Sequence, residues 1–373
     1  MRISHRASLF AAVVASAALG LTSCISFGRN RPADVQHVFI IVLENKGFDT
    51  TFRAGTDAPY LADTLVREGA LLRQYYGTGH FSLDNYIAMI SGIAPTVETQ
   101  SDCPHFIDFV ETGMAPYGQP VGKGCVYPAH VQTIANQLTA AHRTWKGYME
   151  DMGKDPEREP GRCGHPPIGA LDPTERASPN DQYAAKHDPF VYFHAIIDDS
   201  ASCQEHVVPL DDLESDLSSV DRTPNYVFIA PNLCHDGHDQ PCVSHEPGGL
   251  VSADLFLRHW VPMITSSPAF RANGLLVITF DESIGLDMTA CCNEQPGPNT
   301  KSPGWNGPGG GRIGAVLLSK FIAPGTVSDV PYNHYSLLRS VEDIFGLSHL
   351  GYAAAPGLKP FGADVYTLRE GQR

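Results

Sequence analysis

Long hydrophobic runs are nearly missing from this 373-residue chain. The single one, Leu9 to Leu21, falls short of the ~20 residues that a membrane-spanning helix needs. A multi-span membrane bundle is thereby excluded. Positive charge is scarce too: 26 Lys and Arg stand against 41 Asp and Glu, for a net charge of −15. Such a surface cannot neutralise many phosphates at once, so nucleic acid is not expected as a partner. A local phosphate site stays open if a metal or helix ends supply positive charge. Internal repeats and low-complexity segments are absent, which argues against solenoids and disordered tracts. Gly and Pro are plentiful, at 35 and 29, and suggest many long ordered loops.

The chain begins with Arg2 and Arg6, then its one apolar run, then Leu21-Thr22-Ser23-Cys24. That pattern resembles a bacterial lipobox, so residues 1–24 are read as a signal peptide ending in a lipidated Cys24. A plain secretory signal with an incidental cysteine is the alternative; both export the protein. Ile25 stands where an inner-membrane-retention aspartate would be. Residues 25–35 read as a tether, and about 350 residues remain for one large α/β domain or two ordinary ones. Besides Cys24 there are eight cysteines: Cys103, Cys125, Cys163, Cys203, Cys234, Cys242, Cys291 and Cys292. An even number in an exported chain reads as disulfides. Cys234 and Cys242 enclose a short loop and are the best pair. Cys291 and Cys292 either bridge each other or pair outward.

"HVFIIVL" (37–43) is a continuous β-branched and apolar run, as a strand buried on both faces of a parallel sheet requires. "LLRQYY" (71–76), "RTWKGYM" (143–149), "NYVFIAP" (225–231), "GLLVITF" (274–280) and "RIGAVLL" (312–318) are further strand candidates. Helical spacing appears at 58–70, from Ser82 onward, and at 130–142, 250–264 and 334–346. This alternation predicts an α/β fold with a mainly parallel central sheet and helices on both faces. Residues 93–128 and 151–186, rich in Pro and polar residues, read as insertions.

Four predicted strands end in polar residues of ligand type. Glu44-Asn45 follow the first, His80 and Ser82 follow the second, "NLCHDGHD" (232–239) follows 225–231, and Asp281-Glu282-Ser283 follow 274–280. In open parallel sheets ligands bind beyond the carboxyl ends of the strands. Ser82 starts a helix, where it either caps an orphan N–H or serves as a nucleophile facing an anion held by the helix end.

The blocks "HVFIIVLENKGFDTTF", "HFSLDNYIAMISG", "APNLCHDGHD", "LLVITFDES" and "PYNHYSLLRSVEDIFGL" resemble the bacterial phosphoesterase family of secreted acid phosphatases and phospholipases C, within the alkaline phosphatase superfamily. The resemblance runs in order from about residue 36 to 352. It implies a single alkaline-phosphatase-like domain over 36–365 with disulfide-bearing insertions. Superfamily nucleotide phosphodiesterases carry their nucleophile in Thr-x-Pro-Asn with a glycine ten residues on. Ser82, Asn85 and Gly92 keep that spacing, with Asp84 in the proline's place.

The resemblance therefore implies Ser82 as nucleophile through a phosphoserine and Asn85 as donor to a phosphate oxygen. Glu44, Asp281, Glu282 and Asn45 would be ligands of a divalent metal ion. Asn232, Asp236 and His334 would form a second metal site. If that site is absent, His235, His238 and His334 would hold phosphate or protonate the leaving oxygen, and His80 could do the same. His187 in "KHDPFVYF" also matches a family block, or is a structural histidine.

The favoured expectation is a metal-assisted phosphomonoesterase of acid phosphatase type, acting on a phosphorylated small molecule or lipid head group. It would be exported and held at the cell envelope by lipid on Cys24. The alternatives are a phospholipase C or other phosphodiesterase on the same scaffold, and a non-catalytic binding lipoprotein. No Cys/Ser-x-Pro-x-Arg signature surrounds Ser82, which disfavours sulfatase chemistry.

Overall fold

The computed structural model describes Met1 and residues 35–368. The lipobox, Cys24 and nearly all of the 25–35 tether lie outside the described residues. Eight strands form the central sheet: β1 (His37–Leu43), β2 (Ala70–Leu72), β3 (Trp145–Met149), β4 (Val207–Pro209), β5 (Tyr226–Ala230), β6 (Gly274–Phe280), β7 (Ala315–Ser319) and β8 (Thr326–Ser328). Their order is β8-β2-β7-β6-β1-β5-β3-β4. Only β7 runs against its neighbours, pairing antiparallel with both β6 and β2. The others share one direction.

Every residue of β1, β5 and β6 is buried, as expected of apolar strands covered on both faces. The register places helices on opposite faces. Ile40 pairs with Phe228 and Phe39 with Val227, so Phe39 and Phe228 point to opposite sides. The Phe39 ring meets Phe270 of the helical segment Pro268–Asn273, whereas Phe228 meets Tyr86 of α1 (Ser82–Ser91). Helix α1 packs with α2 (Ile134–Ala140) and α4 (His334–Phe345), and α3 (Gly249–Ser266) lies with Pro268–Asn273. Among the described residues no helix is long and apolar enough to cross a membrane.

Helix α1 ends at Gly92, whose φ of 69° is left-handed. A Cβ there would also lie 2.5 Å from the Leu350 carbonyl oxygen, so only glycine fits. The predicted strand 71–76 is broken: Arg73 turns out to Asp329, and Tyr75–Tyr76 pair instead with Tyr332–Asn333 in a small separate ladder. The two short edge strands β4 and β8 were not anticipated, because three residues carry no readable period.

All eight described cysteines are bridged. Cys103 joins Cys125, Cys163 joins Cys203, Cys234 joins Cys242, and Cys291 joins Cys292. Cys103–Cys125 closes the base of the hairpin Val110–Ala115/Gln119–Lys123 within 93–128.

Candidate active site

Strands β1 and β6 are in parallel register with Leu43 opposite Phe280, so the residues that follow them emerge side by side. The Asp281 N–H donates to the Leu43 carbonyl at 2.9 Å, and the Glu44 N–H donates to the Asp236 carbonyl at 2.8 Å. Three strand ends thus bring Glu44, Asp281 and Asp236 together, all fully buried. Helix α1 supplies the groups above them. The Ser82 hydroxyl donates to Glu44 Oε2 at 2.7 Å, and the Tyr86 hydroxyl to Glu44 Oε1 at 2.6 Å. Ser82 and Tyr86 are one turn apart, so the helix presents both to one carboxylate.

Beside this pair, the Asn45 N–H donates to Asp281 Oδ1 at 3.0 Å and the Asn45 amide to Glu282 Oε1 at 2.9 Å. Asn45 sits at φ 47°, a left-handed conformation that asparagine tolerates better than most residues. Glu282 Oε2 abuts His80 Nδ1, and His80 Nε2 is 3.0 Å from the Asp287 carbonyl. On the other side His187 stacks on Tyr86, with ring centroids 5.2 Å apart. Its Nε2 lies 3.5 Å from Glu44 Oε1 and its Nδ1 3.4 Å from Asp236 Oδ2.

The charges here are costly. Burial pushes Glu44 well above the usual carboxylate range, and Asp281 and Asp236 push it the same way. Burial raises Asp281 and Asp236 to about 7 each. Burial also holds His187 well below its ordinary value, with Lys186 adding to the effect. The nearby Lys46 gives its ammonium to the Gly237 carbonyl at 2.6 Å. A group of buried carboxylates without a paired cation is unfavourable unless protons or a bound cation neutralise it.

The donor set is hard oxygen, the kind that divalent cations of the Mg²⁺ and Ca²⁺ type take. Asn45 Oδ1 is buried with no hydrogen-bond partner. Neither ring nitrogen of His187 is hydrogen-bonded. Asp281 Oδ2 and Glu282 Oε2 are likewise buried without a hydrogen-bond partner, whereas both Glu44 oxygens already accept from Ser82 and Tyr86. The unmet oxygens are of a kind that suits a divalent cation.

Several expectations need correction. Ser82 is not a cap: Phe81 occupies the cap position, and Asp102 Oδ1 receives the Leu83 N–H at 3.1 Å instead. Asn85 does not face the site. Its Oδ1 accepts from the Thr78 and Gly79 N–H groups, and its amide donates to the Gly79 and Phe81 carbonyls. Both of its donors are used in shaping the 78–81 loop, which removes the phosphate role.

Asn232 is likewise committed, donating to Asp151 at 2.9 Å and accepting from the Cys234 and His235 N–H groups. His334 is buried with Nε2 on the Asp281 carbonyl at 2.5 Å and Nδ1 on the Tyr75 hydroxyl at 3.2 Å. It buttresses the Asp281 backbone rather than pointing at a ligand. His235 lies between Glu150, at 2.8 Å, and Glu246, at 3.1 Å. Partial burial alone would lower its pKa, but these two carboxylates raise it to about 9. His238 pairs with Asp239 at 2.8 Å, and its backbone N–H caps Asp236 Oδ1 at 2.7 Å.

Among the described residues the one His/Cys/carboxylate group whose ligand atoms all lie within 4.8 Å of one another is Cys234, His235 and Glu246; Glu44, Asp281 and Glu282 do not converge that closely. Cys234 is bridged to Cys242, so the trio lacks a thiolate. The sequence reading gave Tyr86 and Asp102 no role. Tyr86 was visible only as a core residue at helical spacing, and Asp102 lies in a segment with no periodic pattern.

An eight-stranded, mainly parallel sheet with a serine hydroxyl on a buried carboxylate at its carboxyl edge defines a mixed α/β protein with a hydroxyl–carboxylate centre. The chain belongs to the phosphoesterase family, whose model matches residues 52–348. A phosphate-repressible acid phosphatase of Penicillium chrysogenum is 25% identical over 293 residues, covering 77% of this chain and 54% of that protein. The phosphatidylinositol-3-phosphatase of Mycobacterium tuberculosis is 24% identical, covering 88% of this chain and 83% of that protein. The chain spans 51% to 60% of the length of three fungal acid phosphatases that it matches. A solved protein of the alkaline phosphatase superfamily from Vibrio parahaemolyticus overlaps with a TM-score of 0.45 and 13% identity, covering 84% of this chain and 67% of that one.

Proposed function

We propose that this protein is a metal-assisted phosphomonoester hydrolase of acid phosphatase type that works through a phosphoserine on Ser82. The observation that carries the reading is the 2.7 Å hydrogen bond from the Ser82 hydroxyl to buried Glu44 Oε2, at the start of α1 and beside Asp281. Ser82 Oγ attacks phosphorus in line, and its proton passes to the Glu44 carboxylate. The bond to the leaving oxygen breaks, and that oxygen takes a proton. Water supplies that proton, since His187 and Asp236 flank Glu44 behind the nucleophile and serve to position it. Water then cleaves the phosphoserine. A divalent cation held by Glu44, Asn45, Asp281 and Glu282 would supply Lewis-acid stabilisation of the developing charge.

The name of the mycobacterial relative makes a phosphorylated lipid head group a substrate candidate beside small phosphomonoesters. The four disulfides support an exported protein, since such bonds persist in oxidising compartments. Lipid attachment at Cys24 and a single domain over 36–365 complete the proposal.

Ser82→Ala tests it. The variant should fold normally and lose nearly all monoester turnover, because its hydroxyl caps no N–H whose loss would destabilise α1. Near-normal turnover in folded Ser82→Ala protein removes the nucleophile assignment.

A further inference from the structure

Two unlike surface regions adjoin the segments that carry the site. Close in sequence to His187 and Asp236, Lys186, His238 and Asp239 line a cavity of about 440 Å³ with Glu175, Arg176 and Val243, so most of its side chains are polar. Next to His80 and Ser283 the surface is apolar. Phe81, next to Ser82, is 38% exposed, Trp305 59%, Ile284 60% and Leu286 91%. The Phe81 and Trp305 rings meet edge to face with centroids 5.5 Å apart. The chain has three tryptophans, and the other two, Trp145 and Trp260, are buried.

These side chains sit on backbone tied to the site. The His80 N–H donates to the Pro303 carbonyl at 3.3 Å, and Gln100 donates to the same carbonyl. The Gly309 N–H donates to the Met288 carbonyl and the Gly311 N–H to the Thr289 carbonyl, laying the Trp305 loop along the segment that carries Ile284 and Leu286. Trp305 itself is at φ 66°, a conformation that costs a bulky residue energy. Gly304 and Gly307 bond each other across it and hold it there. The indole is thus presented to solvent by fixed backbone. Exposing it costs free energy that burial would recover.

We infer that Phe81, Trp305, Ile284 and Leu286 form a subsite for the apolar alkyl or aryl portion of the phosphoester substrate, so that amphiphilic phosphoesters are preferred over hydrophilic ones. The inference rests on the phosphoesterase reading above and deepens it by naming the substrate class. Continuity with the nucleophile singles out this occupant: Phe81 and Ser82 are consecutive, so a phosphoryl group at Ser82 leaves its organic part within reach of the collar.

Because Trp305 is the single exposed indole, its emission reports on the collar directly. The full chain, loaded with divalent cation, is titrated with octylphosphonate below its critical micelle concentration and with methylphosphonate, with binding followed by calorimetry. Octylphosphonate should shift the tryptophan emission to the blue and bind about tenfold tighter than methylphosphonate. Trp305→Ala should abolish the spectral change and most of that tenfold preference, while its methylphosphonate affinity stays as in the parent. Leu286→Ser should weaken octylphosphonate in the same sense with the indole intact.

Equal affinity for the two phosphonates, or an undiminished preference in both variants, overturns the proposal. An emission shift with phosphatidylcholine vesicles but none with soluble octylphosphonate makes the patch a bilayer-seating surface and also overturns it. If the phosphoesterase reading were the part at fault, Asp281→Asn would leave the affinity of both phosphonates unchanged. Failure of the collar alone leaves methylphosphonate binding sensitive to Asp281→Asn and removes only the chain-length preference.

Discussion

Three strand ends of one sheet edge carry polar residues that look alike in sequence and fall into two unlike groups in structure. After β5, the 232–246 loop is satisfied apart from Asp236, whose Oδ2 joins the buried cluster: Asn232 meets Asp151, His235 lies between two glutamates, His238 pairs with Asp239, and a disulfide closes the loop. After β1 and β6, the cluster is not satisfied. Glu44 and Asp281 are buried together, Asn45 Oδ1 lacks a partner, and among the described residues no lysine or arginine forms an ion pair with them. Satisfied polar groups hold a fold in place, whereas buried unsatisfied ones mark where a ligand completes the bonding. That contrast, more than residue type, is what favours the β1–β6 cluster as the candidate site.

Substitutions can break the contrast, and the largest effect belongs at Asp281. Asp281→Asn keeps the Oδ1 acceptor for the Asn45 N–H but removes a charged ligand, so steady-state assays should find turnover down by about a thousandfold. The sign on stability is opposite. Burial raises the folded pKa of Asp281 from 3.8 to about 7, so in metal-free protein its contribution is fully present below about 4 and is lost as pH rises through 7. Metal-free Asp281→Asn should therefore melt higher than the parent at pH 8 in thermal scans.

Asn85→Ala comes next. It removes the hydrogen bonds that shape the 78–81 loop and should cost about 2–4 kcal/mol in denaturant unfolding, with turnover falling as Ser82 shifts. Unchanged stability with weakened phosphate binding would instead restore it as a ligand.

On the satisfied side the effects should be smaller. Replacing Cys234 and Cys242 together by serine removes a short closed loop worth about 2–3 kcal/mol at most, and should leave most activity in place. His235→Gln should change turnover less than about twofold, because its ring faces Glu150 and Glu246, away from Ser82. Its mark is a pH dependence. The folded pKa, about 9, lies above the unfolded 6.5, so the stabilisation is fully present below about 6.5 and lost as pH rises through 9. Melting curves of parent and His235→Gln should converge above pH 9.

The sheet was legible where strands are long and apolar. β1 and β6 have the expected bounds, because seven consecutive buried residues leave no other period to choose. The antiparallel direction of β7 and the short edge strands depend on tertiary pairing that no local pattern encodes. At the site, Glu44-Asn45 and Asp281-Glu282 stood out as ligand candidates because each pair directly follows such a strand. Asn85, Asn232 and His334 kept the family spacing but have their polar atoms committed to neighbouring backbone, side chains and the Tyr75 hydroxyl. Sequence spacing places a side chain on an element; it does not say which atoms its nearest backbone has already claimed. His187 shows the converse: a histidine that matched a family block but could equally have been structural lies against the cluster, with Tyr86 stacked on it and Glu44 and Asp236 flanking it.

The most direct test of the unsatisfied cluster measures metal content and monoester hydrolysis on the same sample through chelation and reloading. Long incubation with chelator at low pH opens a buried site by protonating its carboxylates. The protein stripped to no detectable divalent metal should lose hydrolysis, and stoichiometric cation should restore it, with Asp281→Asn failing to recover under the same loading. Full hydrolysis by protein shown to be metal-free would contradict the account and leave Glu44, Asp281 and Glu282 as acid–base groups.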